Sequence, residues 1–325
     1  MITEERKHEL SKVSFVIPCY ASEHTISMVV EEVNEAMGRL NQYEWEFVLV
    51  NDCSPDNTFE VIKNLCAAYS NVIGINLARN FGQHAALMSG FHQVSGDIIV
   101  CLDDDGQTPG NEVGKLLSKI EEGYDVVYAQ YANKKHSGFR NWGSKLNSKM
   151  TEYLLDKPKD LFVSSYFAVR RFIVDEMVKY EHSFPYVTGL VLRSTKKIAN
   201  VEVIHRERVE GVSGYSIKKL ISLWSNGFTA FSVKPLRLAT IMGILFAIIG
   251  FVVVLVLVIK KLMHPTDILL GWSSTISIIM IIGGLILIVL GIIGEYIGRI
   301  YICINQAPQY IVREKIGGME EKEEL

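Results

Sequence analysis

Three consecutive aspartates, Asp103, Asp104 and Asp105, follow an apolar run in "CLDDDGQTPG" (101–110). Carboxylates this close repel one another, and a hard divalent cation relieves the repulsion. Mg2+ characteristically takes one or two carboxylates together with substrate phosphates. Positions two apart share a face where strand geometry continues, which pairs Asp103 with Asp105 and turns Asp104 away. Asp-Gly and Thr-Pro are also turn dipeptides, but a turn does not need three acids beside a buried strand. A metal held here would neutralise a diphosphate leaving group. Other chemistries lack their signatures. There is no GxGxxG, no GxxxxGK[ST], no HExxH and no Ser/His/Asp nucleophile pattern. The eight histidines are scattered, and His84 reads as a helix-face residue.

The elements around the aspartates read as an α/β domain over residues 1–210. Strand-like runs at 13–18, 46–51, 71–77, 97–103 and 124–131 alternate with helix-like stretches near 25–40, 57–69, 83–94 and 111–122. That alternation predicts a mostly parallel sheet flanked by helices. Ligands bind beyond the carboxyl ends of such strands. Four strand ends carry hydrogen-bonding groups: Pro18-Cys19-Tyr20, Asn51-Asp52-Cys53-Ser54, Arg79-Asn80-Phe81-Gly82-Gln83 and the aspartates.

The rest of the 325-residue chain has another character. Residues 240–259 and 273–293 are charge-free apolar runs, each long enough to cross a bilayer core of about 30 Å as a helix. The short connection between them predicts a transmembrane hairpin within 239–298. Lys218, Lys219, Lys234 and Arg237 precede it and Arg299, Arg313 and Lys315 follow, against Lys260 and Lys261 between. This bias puts both termini and the soluble domain on the cytoplasmic side. Residues 211–238 mix apolar and basic side chains, which predicts amphipathic helices in the membrane interface, and 299–325 reads as a cytoplasmic tail. The polar N-terminus does not read as a signal peptide. Five cysteines without framework spacing agree with free thiols in a reducing compartment. A formal net charge of −3 argues against a nucleic-acid partner.

Taken in order, the motifs resemble the polyprenyl-phosphate glycosyltransferases of glycosyltransferase family 2, with the GT-A fold. "VIPCY", "VNDCSPDNT", "ARNFGQHAALMSGF", "LDDDGQTP", "RVEGVSGYS" and "GEYIGRIY" carry the likeness over nearly the whole chain. The resemblance implies that Pro18, Tyr20, Asp52, Arg79, Gly82 and Gln83 bind the nucleotide. It implies that Asp103 and Asp105 contact ribose, diphosphate and Mg2+ or Mn2+, and that Gln107 lies near the donor sugar. Arg208 and Ser213 would close over the diphosphate. Arg140 and Lys145, in a basic stretch at 133–149, would take the acceptor phosphate, Arg140 first because guanidinium pairs with phosphate in a bidentate way. The partners implied are a nucleotide-diphosphate sugar, a polyprenyl phosphate (undecaprenyl in a bacterial host) and the bilayer of the inner membrane. The hairpin and "EYIGR" also offer a packing surface for a homo-oligomer.

Three departures stand beside the donor motifs. Ser165, in "SSYFAVRR" (164–171), sits where many members have an aspartate. Gly214 replaces a lysine, and Ala21 replaces an asparagine. No general base is required, because a phosphate monoester has its second pKa near 6 and is largely dianionic at pH 7. The expected reaction is inverting sugar transfer to the lipid phosphate. Two rivals remain: transfer to a lipid-linked glycan, and a catalytically inactive scaffold of the same fold. Asp104 has no role in this reading.

Overall fold

The computed structural model describes residues 11–132, 152, 157–204, 272–304 and 308–318, with scattered positions between 241 and 263. Residues 1–220 and 306–325 form one compact unit, and 221–305 form a second.

The first unit is built on an eight-stranded sheet. In chain order it contains β1 (Ser11–Cys19), α1 (Ile26–Arg39), β2 (Tyr43–Asn51), α2 (Thr58–Ala68), β3 (Val72–Leu77), α3 (Gln83–Phe91), β4 (Ile98–Cys101), α4 (Val113–Glu121) and β5 (Val126–Ala132). After these come β6 (Phe167–Arg170), α5 (Arg171–Met177), α6 (Val187–Ser194) and β7 (Ile198–Ile204). The second unit contributes helix α7 (Trp272–Ile304), and β8 (Val312–Gly317) returns to the first. The sheet order is β7-β5-β6-β4-β1-β2-β3-β8. The five strands expected from sequence all run in one direction, joined by β7. β6 and β8 run against them, so the sheet is mixed with a parallel centre.

The parallel centre explains the near-continuous apolar runs, since both faces of these strands are covered. Alternate residues of β1 (Val13, Phe15, Ile17, Cys19) join buried side chains of α1 and α4 in one core. Phe15 stacks on Phe47 with ring centroids 5.3 Å apart. Val16 faces the other way, toward α3. A Cβ on Gly90 would lie 2.4 Å from Val16 Cγ1, so glycine is what lets α3 sit this close to the sheet. That approach fixes where the N-terminus of α3 meets the ends of the strands.

The C-terminal stretch corrects one expectation. Residues 312–317 are not part of a separate tail. They pair antiparallel with β3 as an edge strand. Arg313, Glu314 and Lys315 are exposed there, in keeping with charged edge strands that resist further pairing. Gln309 donates to the carbonyls of Tyr180 and His182, each at 3.0 Å. Ile311 O accepts from Ala78 N at 2.8 Å.

Helix α7 runs 33 residues and carries the second apolar run. Most of the first run and the interfacial segment 211–238 lie outside the described residues. Among the residues whose side chains are described, no helix is long and apolar enough to cross a membrane.

Candidate active site at the strand ends

The tips of β1 to β4 meet through a set of side-chain bonds to backbone. Asp52, almost fully buried, accepts from Phe81 N at 2.7 Å on one oxygen and from Gly82 N at 2.8 Å on the other. Burial pushes its carboxyl above the usual range, and the two amides pull it back. Asp52 therefore holds the loop between β3 and α3. Gly82, at φ 91°, makes the turn into α3 that a side chain would strain. Arg79 is exposed and stacks its guanidinium 4.5 Å from the Phe81 ring centroid.

Two non-glycine residues at these tips have left-handed backbone, Ala21 at φ 55° and Cys53 at φ 53°. Both cost energy that surrounding contacts must hold, on the order of 1 kcal/mol each. Ser54 Oγ accepts from Ala21 N at 3.2 Å, and Thr58 Oγ1 accepts from Ser22 N at 2.9 Å. These bonds keep the β1 and β2 tips side by side. An asparagine at position 21 would relieve the strain, because its short polar side chain tolerates this conformation.

The three aspartates take three different sets of partners. Asp103 Oδ1 accepts from Gln83 Nε2 at 2.9 Å, and its Oδ2 accepts from the Ser165 hydroxyl. Asp105 Oδ1 accepts from Gln107 N at 3.1 Å. Asp104 turns to β1 and accepts from Tyr20 N at 2.9 Å. Burial, with the neighbouring charge of Asp103, pushes the Asp104 carboxyl up to about 6. Its purpose, unreadable from sequence, is to tie the end of β4 to the end of β1 and hold Tyr20, which is half-exposed.

Among the described residues, side chains from beyond the first four strands also stand at the aspartates. Ser165 is one, and Tyr131 at the end of β5 is another. Burial, with the charges of Asp103 and Asp105, pushes the Tyr131 phenol up to about 12. Looking for polar residues at the end of the fifth strand, as at the first four, would find it. Behind this layer His84 packs edge-on against Tyr186, ring centroids 5.1 Å apart. Burial lowers its imidazole to about 4.

Pro18, Tyr20, Asp52, Arg79, Gly82, Gln83, Asp103, Asp105 and Gln107 thus lie at or just beyond the carboxyl ends of β1 to β4. The structure links Gln83 to Asp103, Asp105 to the Gln107 amide and Asp52 to Gly82. Arg140, Lys145, Arg208 and Ser213 lie outside the described residues. The donor set at Asp103 and Asp105 is two carboxylates, hard oxygen ligands that fit Mg2+ or Mn2+ when phosphate oxygens complete the shell. Among the described residues, no group of three or more His, Cys, Asp or Glu side chains comes together as a metal cage.

Residues 14–178 match the glycosyl transferase family 2 model, and 234–300 match the GtrB C-terminal hairpin. The chain is 33% identical over 314 residues to an undecaprenyl-phosphate 4-deoxy-4-formamido-L-arabinose transferase of Proteus mirabilis, covering 95% of each chain. Proteins of the same name from Photorhabdus laumondii and Yersinia pestis are 34% and 35% identical. The matches cover 95% of this chain in both cases, and 95% and 94% of the relatives. Among solved structures, glucosyl-3-phosphoglycerate synthase from Mycobacterium tuberculosis, in complex with Mn2+, uridine diphosphate and glucosyl-3-phosphoglycerate, superposes with a TM-score of 0.51. It is 17% identical, with 68% of this chain and 80% of that one covered, a likeness of fold. The chain belongs to glycosyl transferase family 2 and is a glycosyltransferase.

Proposed function

We propose that this enzyme transfers a sugar, with inversion, from a nucleotide-diphosphate sugar to a polyprenyl phosphate, undecaprenyl phosphate in a bacterial host. The observation that carries the reading is the convergence of Asp103, Asp105, Gln83 and Gln107 at the strand ends of a chain that aligns end to end with undecaprenyl-phosphate sugar transferases.

The reaction asks little proton chemistry of the protein. A lipid-phosphate oxygen forms the new bond to the anomeric carbon while the bond to the diphosphate oxygen breaks, and its electron pair leaves with the nucleoside diphosphate. The attacking phosphate is already largely dianionic at pH 7. The enzyme's work is alignment and stabilisation of the leaving group. Asp103 and Asp105 would hold a divalent cation, which when bound supplies positive charge to the departing diphosphate. Asp52 holds the Phe81–Gly82 turn, Asp104 holds Tyr20, and Arg79 lies exposed beside Phe81 on the loop after β3. Arg140 and Lys145 are assigned to the acceptor phosphate, and Arg208 and Ser213 to the diphosphate.

The same reading puts the enzyme in the inner membrane with two spans, near 240–259 and 273–293, and the catalytic domain in the cytoplasm. Support comes from the match of 234–300 to the GtrB hairpin. Helix α7, at 33 residues, has a length of about 50 Å, longer than a bilayer core of about 30 Å.

Purified full-length protein, incubated with undecaprenyl phosphate, Mg2+ or Mn2+ and a panel of nucleotide sugars, tests this. The panel includes a nucleotide-linked 4-deoxy-4-formamido-L-arabinose. A lipid product carrying one phosphate and one sugar, seen by mass spectrometry, is expected from at least one donor. Asp105→Asn should lower turnover at least about a hundredfold, as loss of charge stabilisation at a leaving group does. No product with any donor, or full activity of Asp105→Asn, would refute the assignment.

A further inference from the structure

We propose that Ser165 is a positioning residue: together with Gln83 it fixes the orientation of the Asp103 carboxylate for donor binding. The geometry follows from strand register. β6 pairs antiparallel with β4, Cys101 opposite Phe167. Continued by two residues, that register sets position 165 opposite position 103. The Ser165 hydroxyl donates to Asp103 Oδ2, while Gln83 Nε2 donates to Oδ1 at 2.9 Å. A carboxylate gripped on both oxygens, from α3 on one side and the β6 segment on the other, cannot turn about its terminal bond. Its remaining lone pairs then point in a set direction.

Ser165 is itself held firmly. Next to it, Tyr166 is fully buried, and its hydroxyl donates to Pro109 O at 3.3 Å. Tyr166 O accepts from Ala129 N at 2.9 Å and from Ser164 Oγ at 2.8 Å. Ser165 and Gln83 are both neutral donors, so neither sets a second charge against the carboxylate. A carboxylate at position 165 would do the opposite, setting two negative groups against each other.

This inference rests on the donor-site reading above. The test is calorimetry on the detergent-solubilised full-length protein with UDP and Mn2+, with GDP run in parallel. For the nucleotide that binds the wild type, Ser165→Ala should weaken affinity roughly tenfold or more, the usual loss for a hydrogen bond to a charged group. Ser165→Thr should restore most of it. The KM for the donor should rise with Kd. In an Asp103→Asn background, Ser165→Ala should cost nothing further, since the two act as one unit. Wild-type affinity in Ser165→Ala, or independent additive losses in the double variant, would overturn the inference while leaving the donor site standing. A wild type that binds neither nucleotide would overturn both. If Ser165→Ala lacks a cooperative melt, Ser165→Cys, a weak donor of similar size, takes its place with the same expectations.

Discussion

Asp104 shows how much a single residue's surroundings decide. In the sequence it is one of three identical acids, and in the fold it accepts from the Tyr20 amide at the end of β1. His84 is a second case. Its Nδ1 is buried with no hydrogen-bond partner among the described residues, and burial lowers its pKa from about 6.5 to about 4. The folded state therefore prefers the neutral ring, and between these values the unfolded chain binds more protons. Stability from this residue is complete above about pH 6.5 and is lost as pH falls toward 4, up to about 3 kcal/mol. Urea melts across that range should show the decline, and His84→Phe, which keeps an aromatic against Tyr186, should flatten it. An unchanged pH profile in His84→Phe would mean that the ring is not the group titrating.

At the scale of elements, the site depends on how closely α3 approaches the sheet. Gly90 allows it: an added Cβ would meet Val16 Cγ1 at 2.4 Å and Val50 Cγ2 at 3.3 Å. Gly90→Ala must push the helix outward, at a cost of about 1–3 kcal/mol from overpacking. Because α3 carries Gln83 at its first turn, nucleotide affinity should fall together with stability. Denaturant titration and nucleotide calorimetry on the same variant check both effects. A stable variant with wild-type affinity would show that α3 tolerates the shift without moving Gln83. At the far end of the sheet a second cluster fastens β1, β2 and the turn before β4. Glu46, buried, accepts from Ser14 Oγ at 2.6 Å and from Ser95 N and Oγ at 2.6 and 2.7 Å, and pairs with Lys12 at 2.6 Å. Burial raises its carboxyl, but these bonds outweigh it and bring it below the usual range.

At the scale of the whole molecule, the chain leaves the catalytic unit after residue 220 and rejoins it at 306. β8 then covers the edge of β3. Arg313 donates to Ala78 O at 3.0 Å, next to Arg79. A catalytic fragment ending near residue 210 would lack this cover and expose β3 as an open edge, a surface prone to pairing between chains. Such a fragment should aggregate and melt several degrees lower than one in which residues 306–318 are rejoined through a flexible linker. Light scattering and thermal melts of the two fragments check this, and equal behaviour would reduce β8 to a passive appendage.

The local pattern of this sequence determined a good deal. Apolar β-branched runs separated by helical stretches located β1 to β5 and α1 to α4 within a few residues, because parallel strands covered on both faces leave an unbroken apolar signature. The rule that ligands meet such sheets at the carboxyl ends of strands then picked out the aspartates, Asp52 and Gln83. Tertiary structure alone decided the rest. β6 is four residues long, and β8 is a charged edge strand, so neither carries the alternation that marks a half-buried strand. What separates the three aspartates is pairing across long sequence distances: Asp103 with Ser165, 62 positions on, and Asp104 with Tyr20, 84 positions back. Side-chain chemistry is written in the sequence, but which oxygen meets which donor depends on strand register, and register is set only when the sheet assembles.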